Sequence, residues 1–150
     1  SVGAAGCKWV SGYPENYKKN LPYISGLLIL NDPETGMPLS VMDCIWITAM
    51  RTGAATAVAA KYLANRDSKS IGILGCGVQG RTNLEALKII LPELSEVKAY
   101  DISADAVTMY AEEMGAKTGL HIKIVKTPKE AVEDSDVIVT AGPILKEPNP

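Results

Sequence analysis

The sequence is poor in the residues that mark several common kinds of site. It has one histidine and three cysteines among 150 residues, and its net charge is −2. Cysteines that are few, odd in number and widely spaced predict neither a disulfide framework nor a metal site, and they are typical of a reducing cytosol. The histidine, His121, is interpreted as a strand residue. Because no basic stripe or tail stands out, we expect a cytoplasmic protein without a nucleic-acid partner.

The chain also lacks an uninterrupted hydrophobic run of membrane-spanning length. Its most apolar stretch, residues 40–64, approaches that length but carries Arg51 at its centre and Asp43 and Lys61 near its ends. A charged side chain at the centre of a bilayer is costly. The stretch therefore predicts a buried or interface helix over residues 43–65, capped by Asp43, and we expect no membrane partner.

What the chain does contain is typical of a globular fold. Hydrophobic residues make up 47% and charged residues 21%, which is enough apolar surface for a sizeable core. A polar break at residues 65–70 divides the sequence into two predicted units, 1–65 and 66–150. Within the first unit, residues 26–41 read as two short strands joined by an Asn-Asp-Pro-Glu-Thr-Gly turn.

Strand and helix patterns alternate after the polar break. The predicted strands are residues 70–74, 97–101, 121–125 and 136–142. The predicted helices between them are residues 78–91, 103–114 and 127–134. Ser103 is the expected N-cap of the second helix and Gly115 its stop, while Thr127 and Glu130 form a capping box for the third. Alternation of this kind predicts an α/β fold with a parallel sheet and helices on both faces.

Three glycines follow the first of these strands in the stretch IGILGCGVQG. Such a triplet also occurs in plain bends, but here a strand precedes it and a helix follows. Gly75 would make the tight turn, Gly77 would let a pyrophosphate approach the backbone, and Gly80 would pack helix on strand. The N–H groups at the helix start favour phosphate. The stretch therefore predicts a dinucleotide-binding turn, in which Cys76 is interpreted as a small tolerated residue and not as a redox sensor.

Asp101 ends the second strand of this series, 21 residues after Gly80. A carboxylate at this point would accept hydrogen bonds from the adenosine ribose hydroxyls and would repel a 2′-phosphate, which favours NAD over NADP. The alternative is that Asp101 only caps the helix beginning near Ser103. We favour cofactor binding.

Two cations in the first half of the chain raise a separate question. A buried Arg51 must be paired, either in a structural salt bridge or with a carboxylate or phosphate ligand. Lys8, in a run of small residues, is either an ordinary exposed lysine or a second group for the same anion. Together they suggest an anion site facing the cofactor cleft, which a small carboxylate substrate would fit.

Several motifs resemble, in order and spacing, those of the ornithine cyclodeaminase and μ-crystallin family, which includes archaeal alanine dehydrogenase and imino-acid reductases. They are GCKWVSGYPEN, ILNDPETGMPLSVMD, ITAMRTGAATAVAAKYLA and IGILGCGVQG. RTGAA followed about twenty residues later by GxGxQ is much more specific than the glycine triplet alone. The resemblance covers nearly the whole chain.

The resemblance implies that this chain is the middle of a longer protein, usually a homodimer. Residues 1–65 would be part of an α+β substrate and dimerisation domain. Residues 66–150 would be the first portion of a Rossmann-type NAD-binding domain. The family's catalytic aspartate would lie beyond residue 150, so the chain as given would lack it.

The resemblance also implies roles for individual residues. Lys8 and Arg51 match catalytic-site residues that hold the substrate carboxylate and the reactive end of the site. The positions that match cofactor-binding residues are Gly75, Gly77, Val78, Gln79, Gly80, Asp101, Thr140 and Ala141, with Arg51 shared between substrate and cofactor.

The implied activity is NAD(H)-dependent hydride transfer at Cα of a small α-amino or α-imino acid, of the ornithine cyclodeaminase or alanine dehydrogenase type. Hydrolysis of the resulting imine gives a keto acid and ammonia, whereas attack by a side-chain amine followed by hydride return gives cyclodeamination. The alternatives are an imine reductase, such as a pyrroline-2-carboxylate reductase, and a non-catalytic dinucleotide-binding protein resembling μ-crystallin. These remain open because pocket residues outside the chain decide between them.

Overall fold

The computed structural model describes residues 3–142 and has two compact units, Ser1–Ala49 and Met50–Pro150. The division falls inside a helix and not at the polar break that follows it. The domain bounds expected at residues 65 and 66 therefore stay a prediction.

The first unit is built on a three-stranded antiparallel sheet. Its strands, in spatial order, are β1 (Ala5–Gly12), β2 (Ile24–Asn31) and β3 (Pro38–Asp43). The turn predicted between β2 and β3 is present. In that turn Asp32 Oδ1 accepts hydrogen bonds from the N–H groups of Glu34 and Thr35 at 2.9 and 2.8 Å, and Gly36 has a φ of +73°.

Strand β1 was not predicted from the sequence. Its run of small residues lacks the alternation of a half-buried strand, and its conformation comes from pairing with β2. At Gly6 an added Cβ would lie 2.5 Å from the Ile29 carbonyl oxygen. The absence of a Cβ at Gly6 therefore permits the close approach of the β1 and β2 backbones. A short 3₁₀ helix at Pro14–Lys19 follows β1 and was also missed.

The long helix α1 spans Ile45–Leu63, close to its predicted bounds. Asp43 Oδ1 accepts a hydrogen bond from the Ile45 N–H at 2.9 Å, as expected for a cap. No helix within residues 3–142 is both long and apolar enough to cross a membrane.

The second unit contains a four-stranded parallel sheet with helices between its strands. The strands, in spatial order, are β6 (His121–Ile124), β5 (Glu96–Tyr100), β4 (Ser70–Leu74) and β7 (Val137–Thr140). The connecting helices are α2 (Val78–Ile90), α3 (Ala104–Thr118) and α4 (Pro128–Val132). The predicted Rossmann-type alternation is confirmed.

The core of the second unit lies around β4. Ile71 and Ile73 on this strand are fully buried, as are Leu84 on α2 and Tyr110 on α3. A central strand covered on both faces is typical of parallel sheets. At Gly72 an added Cβ would lie 2.1 Å from the Ala131 carbonyl oxygen, so α4 packs directly on the backbone of β4.

The helix caps agree with the sequence except at one end. Ser103 Oγ accepts a hydrogen bond from the Ala106 N–H, and Thr127 Oγ1 accepts one from the Glu130 N–H. The stop predicted at Gly115 is wrong, because α3 continues for one more turn. Gly119, with a φ of +69°, ends the helix instead. An interior glycine costs a helix only about 1 kcal/mol, which is too little to end it.

Hydrogen bonds to Asp136 connect the start of β7 to the start of β4. Its Oδ2 accepts hydrogen bonds from the N–H groups of Lys69 and Ser70 at 2.8 and 3.0 Å and from the Ser70 hydroxyl at 2.9 Å. The Lys69 N–H first, and then the Ser70 hydroxyl, hold the pKa of this carboxyl below its ordinary value of 3.8. The ionised form is therefore favoured by folding.

We predict that Asp136→Asn lowers the thermal unfolding midpoint at pH 7, measured by circular dichroism. A depressed pKa stabilises the fold above the unfolded-state value, and this contribution is lost as the pH falls through the folded-state value. The difference between wild type and variant should therefore shrink below about pH 4. Glu93→Gln, which removes an exposed carboxylate from the loop after α2, is the control. If the unfolding midpoints of wild type and Asp136→Asn differed by the same amount at pH 2 as at pH 7, the ionised Asp136 carboxylate would not be the stabilising group.

Candidate functional site

The carboxyl ends of three neighbouring strands meet at one edge of the parallel sheet. The Gly75 N–H, after β4, donates to the Tyr100 carbonyl of β5 at 2.9 Å. The Ala141 N–H, after β7, donates to the Leu74 carbonyl at 2.7 Å. Successive connections run to β5 and β6 on one side of β4 and then to β7 on the other. In open parallel sheets, ligands bind in the crevice where the strand order reverses.

The three glycines of the turn meet different surroundings. Gly75 has a φ of +103°, and an added Cβ would lie 2.7 Å from the Ala141 carbonyl oxygen. At Gly80 an added Cβ would lie 2.2 Å from the Gly75 carbonyl oxygen, so α2 starts in direct contact with the turn. For a Cβ added at Gly77, no heavy atom of the described residues lies within 4 Å, apart from atoms of the immediate chain neighbours. The fold requires glycine at Gly75 and Gly80, whereas Gly77 borders open space.

The start of α2 offers backbone donors. Gly77 is the N-cap and supplies no side-chain acceptor, and the first turn of α2 has no acidic residue. The N–H groups of Val78, Gln79 and Gly80 have no intrahelical carbonyl within reach. Among the residues that the structure describes, Gln79 Oε1 is a buried acceptor without a hydrogen-bond donor. The backbone donors of the turn therefore fit an anionic ligand.

Asp101 lies between this turn and the start of α3. Its Oδ2 accepts a hydrogen bond from the Cys76 N–H at 2.7 Å, and its Oδ1 accepts one from the Ser103 N–H at 2.9 Å. The carboxylate is only partly buried. The residue after it, Ile102, is 85% exposed and carries no positive charge that would suit a 2′-phosphate.

Cys76 occupies the turn as an inert side chain. It is 1% exposed, and burial, together with the Asp101 carboxylate, raises the pKa of its thiol to about 12. A thiol that stays protonated is a poor nucleophile and a poor redox sensor. This agrees with its interpretation as a small tolerated residue.

Arg81 is a residue of the site that the sequence did not reveal. Its Nε donates to Glu113 Oε2 at 2.8 Å, and one terminal nitrogen donates to the Cys76 carbonyl. Its guanidinium lies 5.5 Å from the centre of the Tyr110 ring. These contacts join α2, α3 and the glycine turn. No local sequence pattern predicts them.

Thr140 ends β7, and Ala141 follows it with its backbone against Gly75. The structure thus brings together the glycine turn, Asp101 and the end of β7 at one edge of the sheet.

Lys8 and Arg51 belong to different units and are described separately. Lys8 is on β1, partly buried, and its Nζ donates to the Thr48 hydroxyl at 2.8 Å. Arg51 is on α1 and its side chain is exposed. The expectation of a buried arginine is therefore wrong for the part of the chain that is described, because the buried side of α1 there includes Gly53 and Ala57 and not Arg51. A structural salt bridge loses its main support with that burial.

A parallel sheet with a glycine turn at the reversal of its strand order defines a Rossmann-type fold. The chain belongs to the ornithine cyclodeaminase/mu-crystallin family, whose model matches residues 1–147. Alanine dehydrogenase of Archaeoglobus fulgidus is 43% identical over 148 residues, which cover 97% of this chain and 44% of that protein.

Two solved structures resemble the whole described fold. One is Δ1-pyrroline-2-carboxylate reductase of Thermococcus litoralis in complex with NADH and L-proline, with a TM-score of 0.86 and 48% identity. It is matched over 91% of this chain and 42% of its own. The other is an archaeal alanine dehydrogenase dimer with bound NAD, with a TM-score of 0.83 and 43% identity over 93% of this chain and 42% of its own. The chain thus spans less than half the length of each relative.

The glycine surroundings generate a stability prediction. Gly80→Ala should lower the free energy of unfolding by about 1–3 kcal/mol, because its Cβ meets a backbone oxygen that has no room to move. Gly77→Ala should change it by less than about 1 kcal/mol, since the position is open and its φ of −79° suits any residue. Urea unfolding of both variants measures the contrast. Equal destabilisation would mean that Gly77 is also required by the fold.

Proposed function

We propose that the protein is an NAD(H)-dependent enzyme that transfers hydride at Cα of a small α-amino or α-imino acid. The observation that carries the proposal is the open, uncapped start of α2 at Gly77, next to the Asp101 carboxylate. The named relatives, solved with NADH and L-proline or with NAD, support it. The proposal concerns the longer protein, because the chain spans less than half of each relative.

The cofactor would be held by the second unit. The N–H groups at the start of α2, those of Gly77, Val78, Gln79 and Gly80, would bind the pyrophosphate. Asp101 would accept hydrogen bonds from the adenosine ribose, and its charge disfavours NADP. Thr140 and Ala141 would border the nicotinamide-side ribose.

Lys8 and Arg51 would hold the substrate carboxylate. A lysine ammonium has three N–H donors, of which Thr48 takes one, so Lys8 can bind a carboxylate and stay oriented. The guanidinium of Arg51 can bind a carboxylate through two parallel hydrogen bonds. The bound nicotinamide would supply the hydride acceptor or donor. The role of both residues is to fix Cα in place for that transfer.

The assembled protein is proposed to be a homodimer. The archaeal alanine dehydrogenase relative is a dimer, and family resemblance supports the same state here. Light scattering on the full-length protein measures it directly.

The function is tested by incubating the full-length protein with NAD⁺ and alanine, ornithine, lysine or proline. We expect one substrate to give a signal in nicotinamide absorbance or in released ammonia. Ammonia with matching NADH indicates a dehydrogenase, ammonia without NADH indicates a cyclodeaminase, and NADH without ammonia indicates an imine reductase. No signal in either assay, with NADH binding intact, would favour an imine reductase or a non-catalytic binder.

Arg51→Leu is the matched negative control for this assay. Because Arg51 is exposed on α1 and leucine is a good helix former, the variant should fold but lose turnover. A variant that unfolded would instead support a structural salt bridge.

Asp101 is tested by the ratio of NADH to NADPH affinity. Asp101→Asn should narrow that ratio by roughly tenfold, because it removes the charge that accepts from the ribose and repels a 2′-phosphate. Fluorescence titration with each nucleotide measures both constants. Ser103→Ala, which removes only the cap of α3, should leave the ratio unchanged. An unchanged ratio in Asp101→Asn would limit Asp101 to supporting the turn.

A further inference from the structure

We propose that Arg81 is a positioning residue that aims the Gly77 N–H out of the glycine turn toward a bound phosphate. The inference rests on the proposed dinucleotide binding. It concerns a residue that lies outside the glycine motif.

The Cys76–Gly77 peptide unit carries the argument. Its carbonyl oxygen, on Cys76, accepts a hydrogen bond from a terminal nitrogen of Arg81. In a trans peptide the N–H points opposite to the C=O. The Gly77 N–H is therefore turned away from Arg81. The preceding peptide is fixed as well, because the Cys76 N–H donates to Asp101 at 2.7 Å.

The guanidinium is itself held in place from two further directions. Its Nε donates to Glu113 Oε2 at 2.8 Å, and its plane lies near the ring of Tyr110, whose hydroxyl donates to the Gly80 carbonyl at 3.3 Å. The Arg81 side chain is only 21% exposed. The planar guanidinium of arginine can donate to Glu113 and to the Cys76 carbonyl at the same time. The single ammonium of a lysine cannot occupy both donor positions.

A second ion pair between the same helices provides a matched control. Lys117 Nζ on α3 lies 2.8 Å from Glu85 Oε1 on α2. This pair also joins α2 to α3 but does not touch the glycine turn. Removing it reports what the loss of one helix–helix ion pair does to binding.

The experiment measures NADH affinity by calorimetry for the full-length wild type, Arg81→Ala, Arg81→Lys and Lys117→Ala. Both Arg81 variants should bind NADH about 5- to 20-fold more weakly, the range expected for losing a charge-assisted hydrogen bond that orients a donor. Lys117→Ala should stay within about twofold. Adenosine, which has no phosphate, should bind all four proteins equally in an NMR titration.

Three results would overturn the inference. They are wild-type NADH affinity in Arg81→Lys, an equal loss in Lys117→Ala, and a parallel loss of adenosine affinity. If Arg81→Ala does not fold, Arg81→Lys decides the question, because it keeps the charge. A wild-type protein that binds no NADH would refute the proposed function together with this inference.

Discussion

A close approach of backbone segments at the carboxyl end of β4 constrains the whole second unit. Gly75 touches the backbone after β7, and Gly80 touches Gly75, so strand, turn and helix α2 meet without side chains between them. This approach places the start of α2 directly beside the end of the sheet. Its uncapped N–H groups are then presented at the point where the strand order reverses, and the position of the site follows from that packing.

Two charged side chains hold the backbone of the glycine turn in addition to the glycine contacts. Asp101 and Arg81 act on opposite ends of Cys76, one accepting its N–H and the other donating to its carbonyl. Each is tied to α3, Asp101 through the Ser103 N–H and Arg81 through Glu113. These hydrogen bonds fix the backbone of the turn, and a preorganised turn would lower the entropic cost of the proposed cofactor binding. Ligand recognition and helix capping by Asp101 are compatible roles for one carboxylate.

Local patterns were enough to predict most of this arrangement, and the failures share a physical cause. The glycine spacing, the strand ending at Asp101 and the cap at Ser103 depend on neighbours in sequence. Strand β1 depends on pairing with β2, and α3 runs through Gly115 to end at Gly119, which has a left-handed conformation. Arg81 was missed because its partner Glu113 is 32 residues away. Contacts of this range leave no period or spacing in a single sequence.

The strongest physical argument for a ligand comes from the glycine that the fold does not need. Gly75 requires a positive φ and Gly80 requires contact with a carbonyl oxygen, so packing alone explains both. Gly77 has an ordinary φ of −79° and open surroundings, so no packing contact among the described residues requires glycine there. A small residue at this point makes sense where a ligand must approach the backbone closely. The space beside Gly77, bordered by aligned N–H groups, therefore indicates binding more directly than the glycine spacing does.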